Sequence, residues 1–187
     1  MSNNVKLTAM PTPNPNSIKF LVEESLLERG SINFVDKEAA KGSYVAEELF
    51  NVPNIEGVLI GTNFISITKS DEAGWETVLE ASSNIIKSCI GSGEALFDKA
   101  LIKQAEAVSE NDSASVKKIK EILDSEIRPA IAMDGGDCEF HSFEDGTLTL
   151  KLQGACSTCP SSVMTLKMGI ENRLREDIPE LKEVVQV

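Results

Sequence analysis

The sequence predicts an α+β protein made of two small two-layer α/β domains, residues 1–92 and 115–187, joined by a helical and flexible linker over 93–114. Three observations predict it. Thr147–Leu152 alternates apolar and polar residues with the period of a half-buried strand, and Val163, Leu166, Ile170 and Leu174 then recur at helical spacing. The N-terminal part mixes strand patterns with two helical stripes and breaks at Gly91-Ser92-Gly93. Between the two parts, Ser109–Ser115 is small and polar, as linkers are. With 41% hydrophobic and 26% charged residues in 187, each half has enough apolar material for its own core.

Val5–Met10 and Ile18–Val22 read as two strands of a hairpin with a long loop. The loop, Pro11-Thr12-Pro13-Asn14-Pro15-Asn16-Ser17, is a rigid extended connection because its three prolines remove three backbone donors. Ser31–Val35 is a short edge strand. Ser43 caps a helix over Tyr44–Phe50, with Glu47 near the third helical position, and Pro53 ends it. Gly57–Thr68 reads as two strands around a Gly61-Thr62-Asn63 turn. A helix from about Glu72 to Ile90 carries Trp75, Val78, Leu79, Ser82, Ile85, Ile86 and Cys89 on one face. On that face Cys89 is a small core residue, and Trp75 and Tyr44 are packing residues. Glu94–Val108 has the spacing of one more helix.

The second domain has the order α-β-β-α-β. Val116, Ile119, Ile122, Leu123 and Ile127 form a helical stripe, and Pro129 marks its end or a kink. Asp134-Gly135-Gly136-Asp137 reads as a tight turn, with too few oxygen ligands for a calcium loop. Cys138–Phe143 is the next strand. A three-residue Glu144-Asp145-Gly146 loop pairs Phe140 with Leu150 and Cys138 with Leu152, which puts Phe140 and the leucines on one face. Cys138 is then a core residue beside the end of the leucine strand, and His141 faces away. The last helix runs to about Asp177, Pro179 stops it, and Leu181–Val187 is a final strand.

The chemistry sits at the second strand-to-helix junction, Gly154-Ala155-Cys156-Ser157-Thr158-Cys159-Pro160-Ser161-Ser162. Proline is favoured at the first helical position, so Cys159 is placed as the N-cap and Cys156 in the turn before it. A helix N-terminus favours thiolate over thiol, and thiolate is the form that binds metal or attacks disulfides. Three readings of the pair stand: a thiol–disulfide couple, half a zinc site, or half an iron–sulfur site. Structural zinc and iron–sulfur clusters generally take about four protein ligands. One chain offers Cys156 and Cys159, with no second Cys-x-x-Cys, so two copies about a two-fold axis would supply the set. Such a site is open and weakly anchored, which suits a carrier. Ala155, Ser157 and Thr158 are small enough for two chains to approach.

A formal charge of −12 argues against nucleic acid or an anionic membrane as partner. No apolar run approaches the ~20 residues of a membrane span. Met1–Met10 has no signal-peptide pattern, so the four cysteines are expected in a reducing compartment and the chain in the cytoplasm.

Several stretches together resemble the C-terminal domain of NifU, found in Nfu-type iron–sulfur scaffold and carrier proteins. They are Leu123-Asp124-x-x-Ile127-Arg128-Pro129, Asp134-Gly135-Gly136-Asp137, Gly154–Ser162, Thr165-Leu166-Lys167-x-Gly169-Ile170-Glu171 and Ile178-Pro179-Glu180. Residues 5–92, with Pro11–Phe20, are similar to the N-terminal domain of Nfu proteins. The resemblance implies a [4Fe-4S] cluster (alternatively [2Fe-2S]) held by Cys156 and Cys159, shared by a homodimer and passed to apo-proteins. It also implies an upstream scaffold as donor, recipient recognition by the N-terminal domain, and no enzyme activity. Cys138 departs from the family pattern, which carries an aliphatic residue there. The family's three-cysteine scaffold and ferredoxin-like domains are absent from this sequence, which favours carriage over desulfurase-driven assembly. Two other classes compete: a thioredoxin-like dithiol oxidoreductase and a structural zinc-bridged dimer. Against the first, no aromatic precedes Cys156, and a parallel βαβ core is not expected around it.

Overall fold

Alternation in the N-terminal strands produces a sheet in which every second residue enters one core. The computed structural model describes residues 5–98, 100–102, 112–159 and 162–187, with the side chains of 162 and 163 also outside the description. Strands β1 (Leu7–Pro11), β2 (Ser17–Val22), β3 (Ile32–Phe34), β4 (Ile55–Ile60) and β5 (Phe64–Lys69) form one antiparallel sheet ordered β1-β2-β5-β4-β3. Phe20 pairs with Ile65 and Val58 with Ile67, so these side chains share a face. Helices α1 (Tyr44–Leu49) and α2 (Trp75–Gly91) cover it with Val45, Leu49, Val78, Ile86 and Cys89. Ser43 caps α1 by accepting from the Ala46 amide at 3.3 Å, and Glu47 accepts from the Gly42 amide at 2.9 Å.

Three expectations need correction here. Helix α2 starts at Trp75, with Gly74 extended before it, rather than at Glu72. Tyr44 is about half exposed and lies outside the N-terminal core rather than packed in it. Glu94–Phe97 is not helical: Phe97 bridges to Ser43 and buries its ring in the N-terminal core. Residues 100–102 are helical, Asp98 is not, and positions 99 and 103–108 of the expected Glu94–Val108 helix lie outside the described residues.

The second unit opens with α3 (Ala114–Ile122), capped by Ser113. A π-helical turn over Leu123–Ile127 follows, then α4 (Arg128–Met133). Pro129 does not end the helical run; the disturbance it marks is the π-helical turn just before it. A proline in an α-helix loses one hydrogen bond and crowds the carbonyl four residues back, and the wider π turn places Pro129 in the first turn of α4, where no partner is missed.

Strands β6 (Gly136–Glu144), β7 (Thr147–Gly154) and β8 (Glu183–Gln186) form a sheet in that order, with α5 (Ser162–Asp177) between β7 and β8. The expected pairings of Phe140 with Leu150 and Cys138 with Leu152 are present, but by another route. The turn has only two residues, Asp145 (φ 51°) and Gly146 (φ 86°), and Glu144 pairs with Thr147. The extra residue is His141, which is exposed at a β-bulge between Phe140 and Ser142. β7 and β8 pair in parallel, so β7-α5-β8 is a βαβ unit and Cys-x-x-Cys sits at its crossover. The parallel unit thought to be missing is therefore present. Leu148, Leu150, Leu152, Ile119, Ile131 and Leu174 fill the second core.

In the first sheet, Leu59 and Ser66 are paired, 0% exposed, and absent from the helix-covered core. Their face is covered by the second unit. This explains why Phe64-Ile65-Ser66-Ile67 is buried without interruption.

Candidate functional site

Strand β7 carries the chain to the Cys-x-x-Cys loop, and the Asp134–Asp137 turn holds that loop from behind. Gly136 pairs with Gly154 at the end of the hairpin, and the Ala155 amide donates to the Gly135 carbonyl at 3.1 Å. The Ser157 amide (3.1 Å) and hydroxyl (2.8 Å) both donate to the Gly154 carbonyl and tighten the turn. A Cβ at Gly136 would lie 2.9 Å from Cys156 Cβ, 3.1 Å from the Gln153 carbonyl, and closer still to Cys156 Sγ. The missing side chain is what lets Cys156 sit there. The turn reading of these glycines was right but incomplete, because only the pairing of Gly136 with Gly154 reveals their second role.

Asp137 anchors the same turn. Arg128 donates to its carboxylate through Nε at 2.8 Å and Nη2 at 2.6 Å, and the Cys138 amide donates to it at 2.8 Å. Ser31 of the first unit donates to the same carboxylate. This pair holds the Arg128 guanidinium well above its ordinary pKa.

Cys156 is 3% exposed and Cys159 1%; all four cysteines are buried and none is in a disulfide. Cys156 lines a cavity of about 430 Å³ with Ile127, Ile131, Leu166 and Ile170. Burial pushes its thiol up to about 12, with Asp134, Cys159 and Asp137 adding in the same direction. The expectation of a lowered thiol is thus corrected at Cys156: desolvation in this closed loop outweighs any help from a helix end. Residues 160 and 161, on which the N-cap role of Cys159 rested, lie outside the described residues, and the described part of α5 begins at Ser162. Cys138 is buried beside β7, as expected, and Cys89 lies in the other core. Among the described residues, no group of three or more His, Cys, Asp or Glu side chains is placed to hold a metal ion.

Buried neutral thiols make stability depend on pH. Burial raises Cys89 to about 11 and Cys138 to about 12, from an ordinary 9.0. The folded chain then holds these protons more tightly than the unfolded chain. Their contribution is complete below pH about 9 and is lost as pH rises toward 11–12. Urea midpoints of the apo protein should fall between pH 8.5 and 10.5, and Cys138→Ser should flatten that fall (about one pH step in the thiol range corresponds to ~1.4 kcal/mol per group). An unchanged slope in Cys138→Ser would assign the effect elsewhere.

The chain matches two domain families: scaffold protein Nfu/NifU N terminal over residues 7–93, and NifU-like domain over residues 119–185. It therefore combines an Nfu N-terminal domain with a NifU-like domain. It is 42% identical over 177 residues to the human NFU1 iron-sulfur cluster scaffold homolog, mitochondrial, covering 94% of this chain and 69% of that one. It is 40% identical over 179 residues to NifU-like protein 4, mitochondrial, of Arabidopsis thaliana (94% and 63% covered). It is 37% identical over 187 residues to the Drosophila ananassae NFU1 homolog, also mitochondrial (100% and 65% covered). The chain belongs to this Nfu family of iron–sulfur cluster scaffold proteins. It spans about two-thirds of the length of these curated relatives.

These names correct the expected cytoplasmic location, since all three relatives are mitochondrial. The cysteine argument asked only for a reducing compartment and does not separate one such compartment from another. No helix among the described residues is long and apolar enough to cross a membrane.

Proposed function

We propose that this chain is a non-enzymatic mitochondrial carrier that binds a labile [4Fe-4S] cluster through Cys156 and Cys159 of two copies and delivers it to apo iron–sulfur proteins. An upstream scaffold supplies the cluster. Residues 115–187 form the cluster-binding unit, residues 1–92 contribute to recognition of recipients, and 93–114 link them. The observation that carries the reading is a two-thiol loop backed by side-chain-free Gly136, with no cluster of three or more His, Cys, Asp or Glu placed to hold a metal among the described residues. Two thiols are half of the usual set, so a second copy completes it. Weak anchoring by two ligands per chain is what permits transfer.

The test is anaerobic reconstitution with iron and sulfide, followed by solution mass and Mössbauer spectra on one sample. About four iron per dimer is expected, with dimers dissociating on chelation. A monomer without iron, or one holding zinc that iron cannot displace, would return the site to the zinc or dithiol readings. Turnover in insulin reduction would select the latter.

A further inference from the structure

Asn14 lies in the proline-rich loop of the first unit, yet its side chain is committed to the second. It is 3% exposed, and Nδ2 donates to the Ala155 carbonyl at 2.9 Å and to Thr158 Oγ1 at 2.8 Å. Both acceptors lie in the Cys-x-x-Cys loop. Its Oδ1 accepts from the Asn16 amide at 3.0 Å, which fixes the direction in which the amide nitrogen points. Thr12 Oγ1 donates to the Asn14 carbonyl at 2.9 Å, and Trp75 Nε1 donates to the Pro15 carbonyl at 2.9 Å, so the loop itself is held. The three prolines limit its freedom further.

The sheet behind this loop continues the contact. The Leu59 side chain packs on Gly154, immediately before the cysteine loop. Lys19 Nζ donates to the Ala132 carbonyl at 2.6 Å, at the end of α4. Ser66 Oγ faces Gly135, whose φ of +78° and lack of a side chain permit the approach. This contact is not optimised for permanence. Ser66 Oγ is buried without a hydrogen-bond partner among the described residues, and burial disfavours the charge on Lys19. Both groups regain water if the units part.

We infer that the second face of the N-terminal sheet, with Asn14 as its latch, is an internal cap on the Cys-x-x-Cys loop that must lift before two copies share a cluster. The inference rests on the reading of Cys156 and Cys159 as cluster ligands. Asn14 is a positioning residue: it acts on the loop and not on the cargo. Lifting frees the loop to meet its counterpart and uncovers Leu59, Phe64 and Ser66 at the same time. Loading with a cluster and presentation of the N-terminal sheet are therefore one event.

The test is read on the full-length apo protein, so it is separate from whether reconstitution succeeds. Alkylation of Cys156 and Cys159 by iodoacetamide is followed by peptide mass mapping, with Cys89 as an internal reference in the other core. Asn14→Ala should accelerate alkylation of Cys156 and Cys159 about tenfold, the effect of losing two buried hydrogen bonds, with Cys89 still slow. Leu59→Lys, which puts an unpaired charge into the contact without entering the helix-covered core, should accelerate it at least as much. On reconstitution, Asn14→Ala should take up iron faster with an unchanged final content. The cap is overturned if neither variant accelerates the loop cysteines selectively over Cys89. If the cap responds as stated but wild-type protein binds no iron, the cluster reading fails alone.

Discussion

Cys156→Ser and Cys159→Ser should each bring the iron and acid-labile sulfide of the reconstituted protein to background, while Cys89→Ser retains both. Thiolate is the ligand that holds these clusters, and a serine hydroxyl does not ionise at working pH. In a shared site every substitution counts twice, because both copies carry it; a bridged cluster loses half its ligands at once. Dimerisation on loading should disappear with the iron. Cys89 lies among Val78 and Ile86 in the N-terminal core, where a serine costs stability without reaching the loop. Iron lost in Cys89→Ser alone, or kept in both loop variants, would place the ligands elsewhere.

Gly136→Ala is expected to be the most damaging substitution that leaves every cysteine in place. The new methyl group meets the Cys156 side chain and, at 3.1 Å, the Gln153 carbonyl; the latter is backbone within the hairpin and cannot swing aside. Overpacking of this kind costs about 1–3 kcal/mol, and relief requires Cys156 to move. Iron uptake should fall at least tenfold, together with a lower urea midpoint. Gly169→Ala is the matching control, since a Cβ there on α5 meets nothing within 4 Å. It should gain about 0.5–1 kcal/mol from helix propensity and leave uptake intact. Wild-type stability and iron content in Gly136→Ala would mean that the glycine is only a turn residue.

Local chemistry was legible in the sequence; contacts between distant segments were not. The two-period of Thr147–Leu152 and the helical spacing after Cys159 placed the loop at a strand-to-helix junction. The pairing of Cys138 with Leu152 was also correct, because burying Phe140 beside the leucines leaves one register. The means differed: a bulge at His141 absorbs the residue that had been assigned to the turn, and alternation alone does not say which of the two yields. Pro129 announces a disturbance in a helix, but a π turn that carries the helix past it depends on the packing of Leu123 and Ile127 into the core.

The site shows the same division. Cys156 and Cys159 stand out by spacing, whereas the thiol's protonation is decided by burial under segments far away in the chain. Asn14 gave no signal beyond its place among prolines, since its partners Ala155 and Thr158 lie more than a hundred residues later. The parallel pairing of β7 with β8 follows from the crossover by α5, which makes a βαβ unit less diagnostic of a dithiol enzyme than the sequence argument assumed.

The contact between the Asn14 loop and the cysteine loop joins two parts of one polypeptide, and this sets its thermodynamic scale. For linked units the relevant quantity is the effective local concentration, on the order of millimolar for short connections, rather than the concentration of a free partner. A contact with a dissociation constant below that value is then mostly closed, and its closing rate does not depend on how much protein is present. Pairing of two copies does depend on it, to the second order. On the proposed reading of a capped loop and a shared cluster, dilution favours the closed monomer and accumulation the bridged pair, so the amount of the protein itself sets how much of it is open for loading.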